Sequence, residues 1–325
     1  MKNVVIIGGG TGTFTLLSGL RKFPVNNTVI VSSADSGGST GVLRKDLGVF
    51  PPGDLRQCLL GLAYIDQQTA DLFAYRFEQG FLRGHVVGNI LLAALEKTTG
   101  NIESAVEMAS KMLNVRGAVL PVSLKPATLI ATLENGKKIV GEHNIDEPKQ
   151  KQELRIKNLE LRPSASANPR VLQALKEADA IIFGPGDLYT STLPNLLIKG
   201  IKETIQKSNA VKVVITNLMT KLGQTDKFKA SDFVKVLGGY LGARLDAAIV
   251  NTKRPEAKIL RSYKKERSDF VEPDIDEIKA LSVKVLAANL VSKQIFQKSK
   301  SDSLKRSVLR HDADKIAKII WKLIA

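Results

Sequence analysis

The chain has 325 residues, 43% hydrophobic and 25% charged, which suits a globular fold with a large buried core in one or two domains. A single cysteine excludes an internal disulfide framework and fits a reducing compartment, and no apolar run approaches the roughly 20 residues of a membrane span. The net charge of +16 raises nucleic acid as a partner, but with 5% aromatics and no basic–aromatic stripe to stack bases, a solvated basic surface is expected instead.

The opening segment is too short for a secretory signal, so the chain reads as cytoplasmic. Residues Asn3–Ile7 form a β-branched run, followed by a glycine turn, an amphipathic helix over Phe14–Lys22, a turn at Pro24–Asn27 and a second strand at Thr28–Val31. Pro51-Pro52-Gly53-Asp54 reads as a turn in which Asp54 caps a helix running to Ala63, with Cys58 as a small core residue. Residues 70–82 continue as helix until Gly84–Asn89 breaks it, and Ile90–Leu95 opens another.

Residues 118–142 change character. Val119–Ser123, Thr128–Leu133 and Lys138–Gly141 read as strands, with Asn135-Gly136 as the hairpin turn of an antiparallel insert on the main sheet. Asp146–Gln152 reads as a charged loop. Helix Pro169–Ala178, strand Ala180–Phe183, helix Leu193–Ser208, strand Val211–Thr216, helix Asp232–Leu241 and strand Ala247–Val250 follow. A charged, partly helical tail ends in an amphipathic helix from near Asp312. The pattern predicts an α/β fold: a Rossmann-like three-layer parallel sheet with an antiparallel hairpin insert and a helical C-terminal extension. Residues 1–255 would be the core, and 256–325 a mainly helical segment packed on it.

Three glycine- and hydroxyl-rich loops each follow one of these strands: Gly8–Thr13, Asp35–Gly41 and Gly184–Ser191. If the strands are parallel neighbours, the loops open at one sheet edge, where open α/β sheets bind ligands. Glycine lets backbone N–H groups approach a phosphate, and a helix N-terminus adds partial positive charge. Gly8-x-Gly10-x-x-Thr13 approximates the dinucleotide fingerprint, with threonine at the third glycine, and Asp35 lies about 25 residues beyond Gly10, where a carboxylate would accept from a ribose hydroxyl. That keeps NAD as an alternative ligand, although no hydride-transfer acid or base stands out.

In the second loop Ser39 and Thr40 offer donors and Arg44 offers charge; an Asx-type turn is the alternative. In the third, Asp187 fits as a cap of the following turn, leaving Thr190, Ser191 and backbone N–H groups for ligand. Asp54 is either a helix cap or a carboxylate facing a metal or an acceptor hydroxyl. His85 and Asn89, four apart, lack the partners a metal site needs, and no Cys/His cluster or Ser/His/Asp arrangement is present.

The ordered segments Gly-Gly-Gly-Thr-Gly (8–12), Ala-Asp-Ser-Gly-Gly-Ser-Thr-Gly (34–41), Pro-Pro-Gly-Asp-Leu-Arg (51–56), Gly-His-x-x-Gly-Asn (84–89), Gly-Pro-Gly-Asp-Leu-Tyr-Thr-Ser (184–191) and Asn-Leu-Met-Thr (217–220), with Arg310-His311-Asp312, resemble the YvcK/CofD family. One branch, CofD, moves a phospholactyl group from a nucleotide donor to a deazaflavin. The other, the YvcK-type gluconeogenesis factors, binds UDP-type nucleotide sugars and supports cell shape and wall synthesis; the 184–191 and 217–220 segments look like this branch.

The resemblance implies that Gly9, Gly10, Thr11, Gly12 and Thr13 hold ligand phosphates. Asp35, Gly37, Gly38 and Ser39 would line the same pocket. Asn89, Gly184, Gly186, Leu188, Tyr189, Thr190, Asn217 and Thr220 would complete it, and Arg310 would reach a pyrophosphate. Asp54 would be catalytic, with a divalent metal, only in a transferase. Otherwise no cofactor or metal is implied beyond a UDP-sugar or other (di)nucleotide ligand. The implied partners are a cell-wall or carbon-metabolism protein and a second copy of the chain, without nucleic acid or a membrane span.

Overall fold

A computed structural model of the chain describes residues 1–148, 154–293 and 308–325. Strand β1 (Lys2–Ile7) enters α1 (Gly10–Leu20) and returns as β2 (Val25–Val31). Helices α2 (Gly38–Leu47), α3 (Pro52–Leu62), α4 (Gln67–Ala74), α5 (Val87–Thr99) and α6 (Ile102–Met112) lead to β3 (Ala118–Pro121). A small unit follows, made of β4 (Thr128–Leu133), β5 (Lys138–Val140), α7 (Glu142–Asp146) and β6 (Ile156–Arg162).

The chain then runs through α8 (Pro169–Glu177), β7 (Ala180–Phe183), a π-helical turn at Leu188–Thr192, α9 (Leu193–Leu196), α10 (Ile201–Lys207), β8 (Val211–Ile215), α11 (Ala230–Leu241) and β9 (Ala247–Asn251). It closes with α12 (Ala257–Lys265), α13 (Ile275–Ala280), β10 (Lys284–Ala288) and α14 (Ala313–Ile324).

The main sheet is parallel throughout, in the order β10-β9-β8-β7-β1-β2-β3. From β1 the chain winds outward through β2 and β3, and from β7 it winds the other way. The β1/β7 junction is therefore the topological switch point, where such sheets leave a crevice at the carboxyl ends of the strands. Both faces are covered, which explains the continuous apolar runs. Val5 and Ile7 point into a core with α8 and α11, while Val4 and Ile6 face α1, α3 and α14. The predicted three-layer α/β architecture is the one observed.

Several boundaries differ from the sequence reading. The predicted turn at Pro24–Asn27 is largely strand, because Val25 already pairs with Lys2. Helix α4 stops at Ala74 rather than 82. There the chain turns at Gly80, and Phe77 donates to the His85 carbonyl and accepts from Gly84 N–H in a short antiparallel arm bridged at Arg76 and Val86. The insert is not 118–142: β3 is a parallel edge strand beside β2, and the small sheet β5-β4-β6 takes its third strand from Ile156–Arg162.

The predicted helix 193–208 is two helices: α9 ends at Leu196, and α10 starts after Gly200, whose left-handed φ of 94° redirects the chain. Of the predicted charged loop, Asp146 belongs to α7, and 149–152 lie outside the described residues. Cys58 is fully buried, and its thiol pKa is pushed up by that burial. No described helix is long and apolar enough to cross a membrane.

Candidate functional site

A cavity of about 310 Å³ opens over the carboxyl ends of β1, β2, β7 and β8. That lies at the lower end of the roughly 300–1,000 Å³ typical of small-molecule sites. All three glycine loops reach it. Gly9, Gly10, Thr11 and Gly12 line one side, Asp35, Gly37 and Ser39 a second, and Gly186 and Thr190 a third. Asn217 and Thr220, from the loop after β8, together with Asp54, Asn89 and Arg310, complete the wall.

The other sequence-predicted positions stand behind this surface. Thr13 is fully buried and Gly38, at a φ of 47°, shapes the α2 entry, while Gly184 shapes the turn after β7 at a φ of 77°. Leu188 and Tyr189, on the π-helical turn, sit in the hydrophobic core. Burial pushes the Tyr189 hydroxyl pKa up.

Helix termini supply most of the chemistry. Helices α1, α2, α3 and α5 begin at the cavity, and the residues before them, Gly9, Gly37, Pro51 and Val86, make no side-chain cap. Helices α4, α6, α8 and α14 are capped by the side chains of Asp66, Asn101, Asn168 and Asp312, while α12 and α13 are uncapped like those at the cavity. Uncapped N-termini leave donor groups and partial positive charge directed at whatever lies in front of them. The first and third loops are also locked together: a Cβ on Gly12 would overlap the Pro185 carbonyl oxygen and stand 2.7 Å from its carbon.

Asp54 is not the cap of α3, since that helix starts at Pro52 after Pro51 and has Asp54 in its first turn. The carboxylate instead lies against the first loop, where a Cβ on Gly9 would stand 2.6 Å from Asp54 Cγ. Asp187 is likewise no side-chain cap of the π-helical turn; its carboxylate accepts from Lys221 Nζ at 2.8 Å. Asp35 adopts the Asx-type alternative, with Oδ1 accepting from Gly37 N–H at 3.0 Å, while still lining the cavity.

Glu142 and Lys221 also line the wall, and the sequence reading singled out neither. Arg56 Nε donates to Asn89 Oδ1 at 2.8 Å, Asn89 Nδ2 donates to Ser39 Oγ at 3.2 Å, and Ser39 Oγ lies 3.2 Å from His85 Nδ1. This chain fixes α2, α3 and α5 relative to one another, and it assigns His85 and Asn89 a hydrogen-bonding role. Helix α7 joins the second and third loops. Glu142 accepts from Ser36 N–H at 3.1 Å, and Asp146 accepts from Thr190 Oγ1 at 3.2 Å, from Gln224 at 3.0 Å and from Lys221. Residues more than 100 positions from Ser36 carry no local pattern that places them beside it, whereas Lys221 directly follows the 217–220 segment.

Burial, then the neighbouring Asp35, Asp146 and Asp54 charges, push the Glu142 pKa well above the ordinary carboxylate range. Burial alone would raise Asp146, but the charge and hydrogen bond of Lys221 hold it below its usual value. Burial would lower Lys221, and Asp187 and Asp146 more than offset it, so the ammonium stays charged. Lys221 is thereby committed to two carboxylates, and Arg76 and Arg310 carry positive charge to the cavity. Among the described residues no three His, Cys, Asp or Glu side chains gather as a metal-ligand group.

His311 is buried, with Nε2 3.1 Å from the Thr216 carbonyl, and burial lowers its pKa to about 4. The unfolded chain binds this proton near the ordinary pKa of about 6.5 and the folded one does not. Stability is therefore retained above that range and is lost as pH falls from about 6.5 towards 4. Denaturation at pH 7 and pH 5 should differ by about 2 kcal/mol from this group alone, and His311→Asn should remove that share of the difference.

The 2-phospho-L-lactate transferase CofD family model matches residues 4–291. The gluconeogenesis factor of Bacillus subtilis is 41% identical over 324 residues, spanning 99% of this chain and 98% of that protein. The gluconeogenesis factor of Halalkalibacterium halodurans is 41% identical over 322 residues, 98% of this chain and 95% of its own. A crystal structure of a Bacillus halodurans protein superposes with a TM-score of 0.90 at 40% identity, covering 98% of this chain and 99% of that one.

Proposed function

The chain belongs to the CofD family, together with the gluconeogenesis factors it resembles over nearly its whole length, and we propose that it is a nucleotide-sugar-binding regulator. In this reading the ligand is a UDP-sugar. Its diphosphate lies among the first and third glycine turns, Ser39 and Arg310, and binding biases the loops towards one arrangement that a cell-wall or carbon-metabolism partner reads. The observation that carries it is the meeting of uncapped helix N-termini and glycine loops at one cavity.

Calorimetric titration with UDP-N-acetylglucosamine is expected to give saturable heat. Arg310→Ala should weaken binding by about 10- to 100-fold, the value of one charge-assisted hydrogen bond at roughly 1.5–3 kcal/mol. No saturable heat with UDP-sugars in the wild type would remove the reading.

One feature favours a second reading as a group transferase, namely Asp54 on the cavity wall beside Gly9 and Gly10. Turnover of a nucleotide donor that Asp54→Asn abolishes would establish it.

A further inference from the structure

Several surface cations have an acidic neighbour: Lys2 pairs with Asp179, Lys22 with Asp314, Lys138 with Glu160 and Arg170 with Glu107. Helix α12 instead gathers four without one on a single face. Lys258, Arg261, Lys264 and Lys265 are all exposed, and none makes an ion pair among the described residues. At about 100° per residue the four fall within a stripe about 120° wide. Ile259, Leu260 and Tyr263 take the opposite side, where they pack with Leu218, Met219, Phe270 and Leu309.

Like charges three and four apart on a helix repel by a few tenths of a kcal/mol each. The helix dipole accounts for Lys264 and Lys265 in the last turn, but Lys258 in the first turn opposes it. Helix stability therefore does not account for Lys258 and Arg261.

The same helix is tied to the cavity. The Tyr263 hydroxyl accepts from Leu309 N–H at 2.8 Å, directly before Arg310. Just beyond α12, Ser268 Oγ donates to the Thr220 carbonyl, and Asp269 N–H donates to Thr220 Oγ1 at 2.8 Å. Tyr263, Ser268, Thr220 and Leu309 all line the cavity. These bonds connect the Thr220 loop and the Leu309–Arg310 segment to α12 and to the residues just after it.

We infer that the basic stripe of α12 is a docking surface for an acidic segment of a partner protein, positioned by the state of the cavity; the second clause rests on the ligand reading above. An acidic protein segment fits better than the other polyanions. The stripe has no outward aromatic residue to stack a base and no outward apolar residue to enter a lipid interface. Its nine residues span only about 13 Å, the scale of a short peptide.

The test uses the full chain and a fluorescein-labelled deca-glutamate peptide, read by anisotropy. Reversing the stripe with Lys258→Glu, Arg261→Glu, Lys264→Glu and Lys265→Glu is expected to weaken binding by about tenfold or more. Reversing four other exposed lysines, Lys157, Lys176, Lys207 and Lys235, should leave it within about threefold. If the fourfold variant does not fold, Lys258→Ala with Arg261→Ala should still weaken it by about threefold. Equal losses in stripe and control variants would overturn the assignment. So would stripe-dependent binding to phosphatidylglycerol vesicles or single-stranded RNA that is tighter than to the peptide.

Saturating UDP-N-acetylglucosamine should shift the peptide affinity, and a bound nucleotide sugar with no shift would overturn the coupling. Absence of nucleotide-sugar heat would instead remove the ligand reading and leave the docking result standing.

Discussion

Gly12→Ala is expected to weaken UDP-N-acetylglucosamine binding by at least about tenfold and to lower the melting temperature by several degrees, from overpacking of roughly 1–3 kcal/mol. The added methyl would overlap the Pro185 carbonyl oxygen and stand 3.1 Å from Gly186 N, so the first and third loops would have to part. Both loops are backbone at their contact, and no side chain is there to swing aside. Parting them separates the donors that would hold one diphosphate. The same change at Gly239, in α11 with nothing within 4 Å of the added carbon, is the control. There alanine should be neutral or stabilising by up to about 1 kcal/mol, from helix propensity. Unchanged affinity in Gly12→Ala would mean that the two loops do not share a ligand.

Gly19→Val should destabilise the whole domain by about 3 kcal/mol or more, seen as a lower urea midpoint at an unchanged slope. Gly19 lies where α1 crosses the start of α14, and a Cβ would overlap the Ala313 carbonyl oxygen and stand 2.7 Å from its carbon. Moving α14 uncovers Ile316, Ala317 and Ile320, which share a core with Leu16, Leu17 and Leu20. Because α14 follows Arg310-His311-Asp312 directly, the shift should also misplace Arg310 and weaken nucleotide-sugar binding. A wild-type midpoint in this variant would show that α14 is only loosely held.

The parallel core was legible because a sheet covered on both faces needs unbroken apolar strands, and Val4–Ile7, Val29–Val31, Ala180–Phe183 and Ala247–Val250 supply them. Strand β6 alternates poorly, with exposed Lys157 and Asn158 side by side, and β10 is a half-exposed edge strand; neither has a strong period-two signal. Helix α2 starts inside a glycine loop and has little apolar character, so its pattern resembles a turn. In the site, the three glycine loops were legible as short motifs following strands. The contacts of Asp54 with Gly9, of Glu142 with Ser36 and of Asp146 with Lys221 were not, since each joins residues 45 to 106 positions apart with no shared local pattern.

A crystal structure of the full chain with UDP-N-acetylglucosamine tests the central claim most directly. Diphosphate density is expected between the Gly10 and Gly186 turns, within hydrogen-bond reach of Ser39 or Arg310 and facing the N-termini of α1 and α2. A ligand bound elsewhere on the chain, with the space between these turns holding only water, would contradict the claim.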